Sequence, residues 1–338
     1  MTRPRMKIRI HGAGWYGCHI AGELMQAGHE VEIHEMGPSI FAGASGSIPA
    51  RLHIGCHYPR SRMTRAACQE HQQEFMARYG FLTHSVACNI YAIADRGSLV
   101  DFDQYCASLR GEIEFLTLDP RAIFEMGLHG VEGAIQVQER HIITRLAKEY
   151  FELELGGRLR LNTAREDGDH EDWDWTVDCT FCSDQSSGVD RYEPCLVLAL
   201  YGDTSRAVTV MDGPFPSLYP WDEGRGLCSL SSALWTPFSK TCRTYAEAAQ
   251  LISELDRGDI EERGRQMIES MAKFYPAIHR FKVVKHMVSI RAMPESAADT
   301  RLCDVWQNGR TIHVRAGKID AVIHAGRTVR EMIERGSE

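Results

Sequence analysis

The chain has 338 residues, 43% hydrophobic and 25% charged, with 29 glycines and 12 prolines, a composition that excludes disordered, collagen-like and coiled-coil classes and suits one or two folded domains. With 46 acidic against 38 basic side chains the net charge is −8, which argues against a nucleic-acid partner and for a small molecule. The longest apolar run, residues 195–201 (CLVLALY), falls well short of the roughly twenty residues a membrane-spanning helix needs.

The amino terminus (MTRPRMKIRIHGAG) is basic, but Arg9 and His11 interrupt the stretch that a signal peptide would keep apolar, so a cytoplasmic protein is expected. Eleven scattered cysteines frame no closed disulfide set, which fits a reducing compartment. Cys179 and Cys182 have CxxC spacing, yet no second CxxC completes a four-thiolate zinc site, and no metal is expected.

Residues 7–11 (KIRIH) read as a strand, and 18–27 as a helix with Ile20, Ala21 and Leu24 on one face, stopped at Gly28. A second strand at 31–34 ends at Glu35. Residues 42–62, rich in Gly, Ser and Pro, read as a long loop carrying His53, His57 and Tyr58. A helix at 64–79, a strand at 86–94 and a helix at 102–109 follow, then a strand at 134–138, a helix at 141–155, and strands at 159–161 and 175–179. Residues 193–233 read as several strands with a Pro-rich loop, DGPFPSLYP, at 212–220. Helices at 245–255 and 260–274, strands at 287–290, 302–306 and 311–314, and a helix at 319–334 complete the chain. The interleaving predicts an α/β protein with an antiparallel portion.

Gly12-Ala13-Gly14-Trp15-Tyr16-Gly17 is GxGxxG, placed between a strand and a helix. There, free backbone N–H groups and the helix dipole accept a pyrophosphate, and the glycines allow the tight turn and the close approach of backbone to ligand. Glu35, 23 residues after Gly12, is positioned to accept ribose hydroxyls. This unit does not separate NAD from FAD, since both present an ADP half. A second turn, Gly317-Lys318-Ile319-Asp320, enters the last helix, and a helix N-terminus there suits the electron-rich edge of a reduced flavin.

The order GxGxxG…Glu35, then Ser45-Gly46-Ser47 leading to His53-Ile-Gly-Cys-His-Tyr-Pro59, then AGKID before the last helix, resembles the D-amino acid oxidase superfamily of FAD-dependent oxidoreductases. This group includes glycine and sarcosine oxidases and the 2-hydroxyglutarate dehydrogenases; the segment 45–68 is most similar to the last. The resemblance implies FAD as cofactor, with Gly12, Gly14 and Gly17 on the pyrophosphate and Glu35 on the ribose. It further implies Ser45, Gly46 and Ser47 along the ribityl and diphosphate path, and Gly317, Lys318 and Ile319 at the flavin pyrimidine edge. The V-x-A-T-G of the family falls on residues 177–181, which adds Thr180 to the cofactor set; Phe181 stands where glycine is usual.

His53 and His57 lie in a loop expected near the flavin ring, with three roles open: covalent attachment, proton acceptor, or a polar contact to substrate. A pair of hydrogen-bonded loop histidines is the plainer alternative. Arg291 is the leading candidate to take a substrate carboxylate in a fork, against a surface salt bridge; Arg51 and Arg301 are weaker candidates of the same kind. Tyr219, Trp221 and Trp235 are expected either as an apolar wall over the substrate or as core.

The expected architecture is a Rossmann-like FAD-binding domain from residues 1–80, about 131–190 and about 284–338, and an antiparallel-sheet substrate domain from 81–130 and 191–283. The expected activity is removal of a hydride from a CH–NH donor, an amine or amino acid. A CH–OH donor such as a 2-hydroxy acid, a redox-neutral flavoenzyme, and a nicotinamide-dependent dehydrogenase remain as alternatives.

Overall fold

A computed structural model describes residues 4–48, 51–165, 172–180, 191–239, 241–293 and 303–336. Phe181, Cys182 and Arg301 lie outside the described residues.

Two large sheets carry the molecule. The first has six strands in the order Asp304–Asn308, Thr311–Arg315, Trp175–Asp178, Lys7–His11, Glu30–Glu35, Leu159–Leu161. All its pairings are parallel except the edge hairpin of the first two. Lys7–His11 is central, and Ile8, Arg9, Ile10 and His11 are all buried, as expected for a parallel strand covered on both faces. Helices Trp15–Gln26 and Val322–Arg335 pack against each other on this sheet. The first begins at Trp15 rather than at residue 18, because Trp15 is buried among Phe41, Phe75, Tyr79 and Phe151 at ring distances of 5.2–5.6 Å. Gly17 therefore sits in the first helical turn.

The second sheet has eight strands: Lys282–Met293, Arg191–Tyr201, Leu227–Ser232, Pro216–Asp222, Arg206–Met211, Cys88–Ala94, Val131–Val137 and Leu116–Thr117. It is antiparallel apart from the Arg206–Met211/Cys88–Ala94 pair. The boundaries expected at 131 and 284 are corrected here. Val131–Val137 pairs with Cys88–Ala94, and Lys282–Met293 pairs with Arg191–Tyr201, so both strands belong to this sheet rather than to the nucleotide-binding one.

The stretch expected as a Pro-rich loop at 212–220 is partly strand: Pro216 pairs across from Ser232 and Pro220 from Cys228. Likewise the loop expected at 42–62 contains a helical turn, Ala44–Ser47, and a short strand, Arg51–Leu52. That strand joins Arg140–Ile142 and Thr83–Ser85 in a small third sheet, which shortens the helix expected at 141–155 to Thr144–Leu155. One helix not read in the sequence, Pro120–Glu125, is started by an Asp119 side-chain cap with proline in its first turn. Among the described residues no helix is long and apolar enough to cross a membrane.

Candidate functional site

A cavity of about 870 Å³, at the upper end of the range for ligand sites, runs between the two large sheets. Its wall includes Gly12, Gly14 and Gly17 at one side and Arg51, His53, His57, Arg291, Gly317, Lys318 and Ile319 at another.

The turn after the first strand is built by close backbone contact. Gly12 has φ +92°, and a Cβ there would lie 2.8 Å from the Cys179 carbonyl oxygen. A Cβ at Gly17 would lie 1.9 Å from the Gly12 carbonyl oxygen, so the helix can start this near the strand only with glycine. Gly14 differs: a Cβ there would meet only Ser45, with Oγ at 3.0 Å, and Gly14 caps the helix with no side-chain hydrogen bond. Ser45 Oγ accepts the Trp15 N–H at 3.0 Å. The helix thus presents its N-terminus to the cavity with an open cradle at Gly14, the arrangement that accepts a phosphate. Gly46 and Ser47 do not line the cavity; Gly46 is required by packing, since a Cβ would lie 2.2 Å from the Phe41 carbonyl oxygen.

Glu35 is buried and held by two backbone donors, Ala13 N–H to Oε2 at 2.8 Å and Gly37 N–H to Oε1 at 2.7 Å. It lines the cavity beside His11, His34, Thr163 and Arg165, residues the sequence did not single out. Thr180 lines it as well, and its N–H and hydroxyl both donate to Asp178 Oδ1, at 2.9 and 2.6 Å. Asp178 also receives Arg165 Nη1 at 2.7 Å. Burial works to raise the Asp178 carboxyl, but the contacts from His313, Thr180 and Arg165 outweigh it and bring it to about 2. His11 is pushed down to about 4, first by burial and then by Arg9 and His34.

At the other end, the short strand Arg51–Leu52 aims Arg51 across the second sheet. Its guanidinium lies 4.2 Å over the Tyr219 ring, and Nη1 donates to Ser217 Oγ at 2.7 Å and Thr209 Oγ1 at 3.4 Å. Among the described residues no carboxylate comes within ion-pair distance of it. Arg291 lines the cavity too, but its Nε and Nη2 both donate to Glu193 Oε2, at 2.9 and 2.7 Å, so that edge of its fork is already occupied. The aromatic wall is corrected: Tyr219, Trp221 and Trp235 do not line the cavity. Tyr219 is fully buried beneath Arg51, Trp221 Nε1 donates to Thr144 Oγ1 at 3.3 Å, and Trp235, half-buried, packs against the core of the second sheet.

His53 and His57 come together, with ring centroids 5.3 Å apart. His53 Nδ1 lies 3.2 Å from the Tyr91 hydroxyl and 3.7 Å from Glu139 Oε2. Burial lowers the His53 imidazole more than Glu139 raises it, so the ring is neutral near pH 7. Lys318 Nζ donates to Cys68 Sγ at 2.7 Å and lies 4.4 Å over the Tyr58 ring. Burial would depress this ammonium, but Tyr58, Asp320 and Cys68 more than reverse that and keep it charged. The Tyr16 hydroxyl donates to the Lys318 carbonyl oxygen at 2.5 Å, which ties the C-terminal turn to the first helix.

The open cradle at Gly14, the fixed carboxylate of Glu35 and the cationic Lys318 turn line one cavity, and an N–H cradle, a carboxylate acceptor and a cation are the kinds of group that FAD requires. The family model for FAD dependent oxidoreductase matches residues 7–314. An FAD-dependent monooxygenase of Fusarium mangiferae is 32% identical over 340 residues, covering 97% of this chain and 91% of that protein. One of Aspergillus flavus is 26% identical, covering 97% and 86%. Among solved structures, glycine oxidase from Geobacillus kaustophilus superimposes with a TM-score of 0.70 at 16% identity, covering 98% of this chain and 95% of that one. L-amino acid deaminase from Proteus vulgaris does so at 0.67 and 11%, covering 97% and 93%. The ambiguity between nicotinamide and flavin in the GxGxxG turn is thereby resolved in favour of FAD, and the chain belongs to the FAD dependent oxidoreductase family, within the D-amino acid oxidase superfamily.

Proposed function

We propose that the protein oxidises a small amino acid or related carboxylated amine at its CH–NH unit. The observation that carries this reading is the pairing, in one cavity, of Arg51, a cation with no carboxylate partner among the described residues, with His53, a neutral imidazole. Arg51 orients an anionic group through its fork, and its stacking on Tyr219 with Ser217 beneath holds that fork in place. His53 takes the proton of the substrate ammonium, leaving the nitrogen lone pair that drives loss of hydride from the adjacent carbon. Bound FAD supplies the two-electron acceptor. The proposed cofactor contacts are Gly12, Gly14 and Gly17, Glu35, Ser45, Thr180 and the Gly317–Ile319 turn, with the flavin held non-covalently. The eleven cysteines, scattered along the sequence without framing a disulfide set, support a reducing, cytoplasmic setting.

The names of the fungal relatives favour a second reading, insertion of an oxygen atom from O2. Oxygen-18 tracing separates the two. Oxidation of a CH–NH unit followed by hydrolysis gives a 2-oxo acid whose new oxygen comes from water, and this is the expected result with a panel of free and N-methyl amino acids under 18O2. Product oxygen drawn from 18O2, with consumption of a nicotinamide reductant, would replace the first reading by the second.

A further inference from the structure

We propose that Tyr91 and Glu139 act as positioning residues that fix His53 as its Nδ1–H tautomer and so leave Nε2 as the basic nitrogen of the site. The proposal deepens the reading of His53 as proton acceptor and rests on it.

Glu139 follows the strand Val131–Val137, and its side chain is fully buried. Oε1 accepts the Ile54 N–H at 3.0 Å; Oε2 accepts Asn89 Nδ2 at 2.9 Å and the Tyr91 hydroxyl at 2.8 Å. Burial alone would raise this carboxyl, but His53 and the donors from Ile54 and Tyr91 hold it below the usual carboxylate range. It is therefore ionised and can only accept. A phenol has one proton, and Tyr91 gives it to Glu139. Toward His53 Nδ1, 3.2 Å away, the Tyr91 oxygen then offers only lone pairs, so the imidazole must be the donor. Reversing Tyr91 would strip a donor from a buried carboxylate, the costlier arrangement.

The same carboxylate compensates the ring once it is protonated, since Oε2 is 3.7 Å from Nδ1. The other groups facing His53 are Lys318 from the C-terminal turn and Arg51, two residues before it, which disfavour the protonated ring, and the His57, Tyr58 and Tyr91 rings. Glu139 is thus the counterweight that lets a buried imidazole in a cationic surrounding accept a proton transiently.

The test is the tautomer itself, read from long-range 1H–15N spectra of the FAD-loaded protein labelled with 15N-histidine, with His53 assigned by its loss in His53→Gln. The wild type is expected to show Nδ1 protonated and Nε2 bare at neutral pH. Tyr91→Phe, which keeps the ring, should shift the population toward Nε2–H, and Glu139→Gln should lower the pH of His53 titration by about one unit. A wild-type ring carrying Nε2–H would overturn the proposal, as would a tautomer and titration unchanged in both variants. If Glu139→Gln does not retain FAD, the wild-type and Tyr91→Phe spectra still decide. A spectrum as expected in a protein that no carboxylated amine reduces would sink the proposed function and leave the tautomer assignment standing.

Discussion

Gly14 and Gly17 occupy one turn of sequence, yet their replacement should fail in different ways. At Gly17 the added Cβ would lie 1.9 Å from the Gly12 carbonyl oxygen and 3.1 Å from its carbon. Both obstacles are backbone, so no rotamer relieves them. The helix Trp15–Gln26 would have to withdraw from the strand by about 1 Å or more, a displacement that a close-packed interior resists at a cost of about 3 kcal/mol. Because Trp15 anchors that helix among four aromatic rings, Gly17→Ala should lower the stability of the apoprotein as well as its affinity for FAD. At Gly14 the Cβ would touch only Ser45 and otherwise project toward the cradle. Gly14→Ala should leave the apoprotein melting close to wild type while weakening FAD by at least about tenfold, the loss of roughly one phosphate hydrogen bond of about 1.5–3 kcal/mol. Thermal melts of both apoproteins, together with FAD titrations followed by flavin fluorescence, make the comparison. Equal loss of apoprotein stability in the two variants, or a Gly14→Val protein that keeps its full FAD content, would refute the assignment of this turn.

Other outcomes follow from the same geometry. Glu35→Gln leaves one of the Ala13 and Gly37 amide donors without an acceptor and removes charge from the ribose site, so FAD should bind more weakly by about 1–3 kcal/mol; an unchanged dissociation constant would place the ribose elsewhere. Arg51→Met should raise the apparent dissociation constant of a carboxylated substrate by tenfold or more, with FAD content kept, whereas loss of FAD without change in substrate affinity would assign Arg51 to the cofactor. Burial holds His11 and His141 at about 4 and His19 at about 3, all below the ordinary 6.5. The unfolded chain then binds more protons than the folded one as pH falls below 6.5, so stability should fall through the window from 6.5 to about 4, by at most roughly 4 kcal/mol per pH unit for three histidines. Denaturant melts at pH 7 and pH 5 check the sign, and a protein more stable at pH 5 would contradict it.

What the sequence disclosed was local. The GxGxxG turn, Glu35 and the C-terminal turn, which the structure brings to one cavity, are legible because each is set by a backbone conformation over a few residues. The start of the first helix is hidden in the sequence, since Trp15-Tyr16-Gly17 looks like loop without the aromatic cluster that holds Trp15. The prolines of 212–220 suggest a loop, yet Pro216 and Pro220 sit in a strand of the second sheet, a tertiary context that propensity does not register. Arg291 stands out in sequence over Arg51 because nothing there reveals that Glu193 faces Arg291 across an antiparallel ladder. Glu139 carries no motif at all. It reaches His53 only because Val131–Val137 pairs with Cys88–Ala94, which places Asn89, Tyr91 and Glu139 around one buried point.

On the proposed function, the cavity joins an FAD site to a cation and a neutral imidazole that present a carboxylated amine for oxidation. Anaerobic mixing of the FAD-loaded protein with free and N-methyl amino acids, followed at the flavin absorption band, tests it most directly. Full bleaching is expected with at least one of these compounds and no nicotinamide present, slowed in His53→Gln and requiring far higher substrate in Arg51→Met. Bleaching by NADH or NADPH alone, with every amino acid inert, would contradict it.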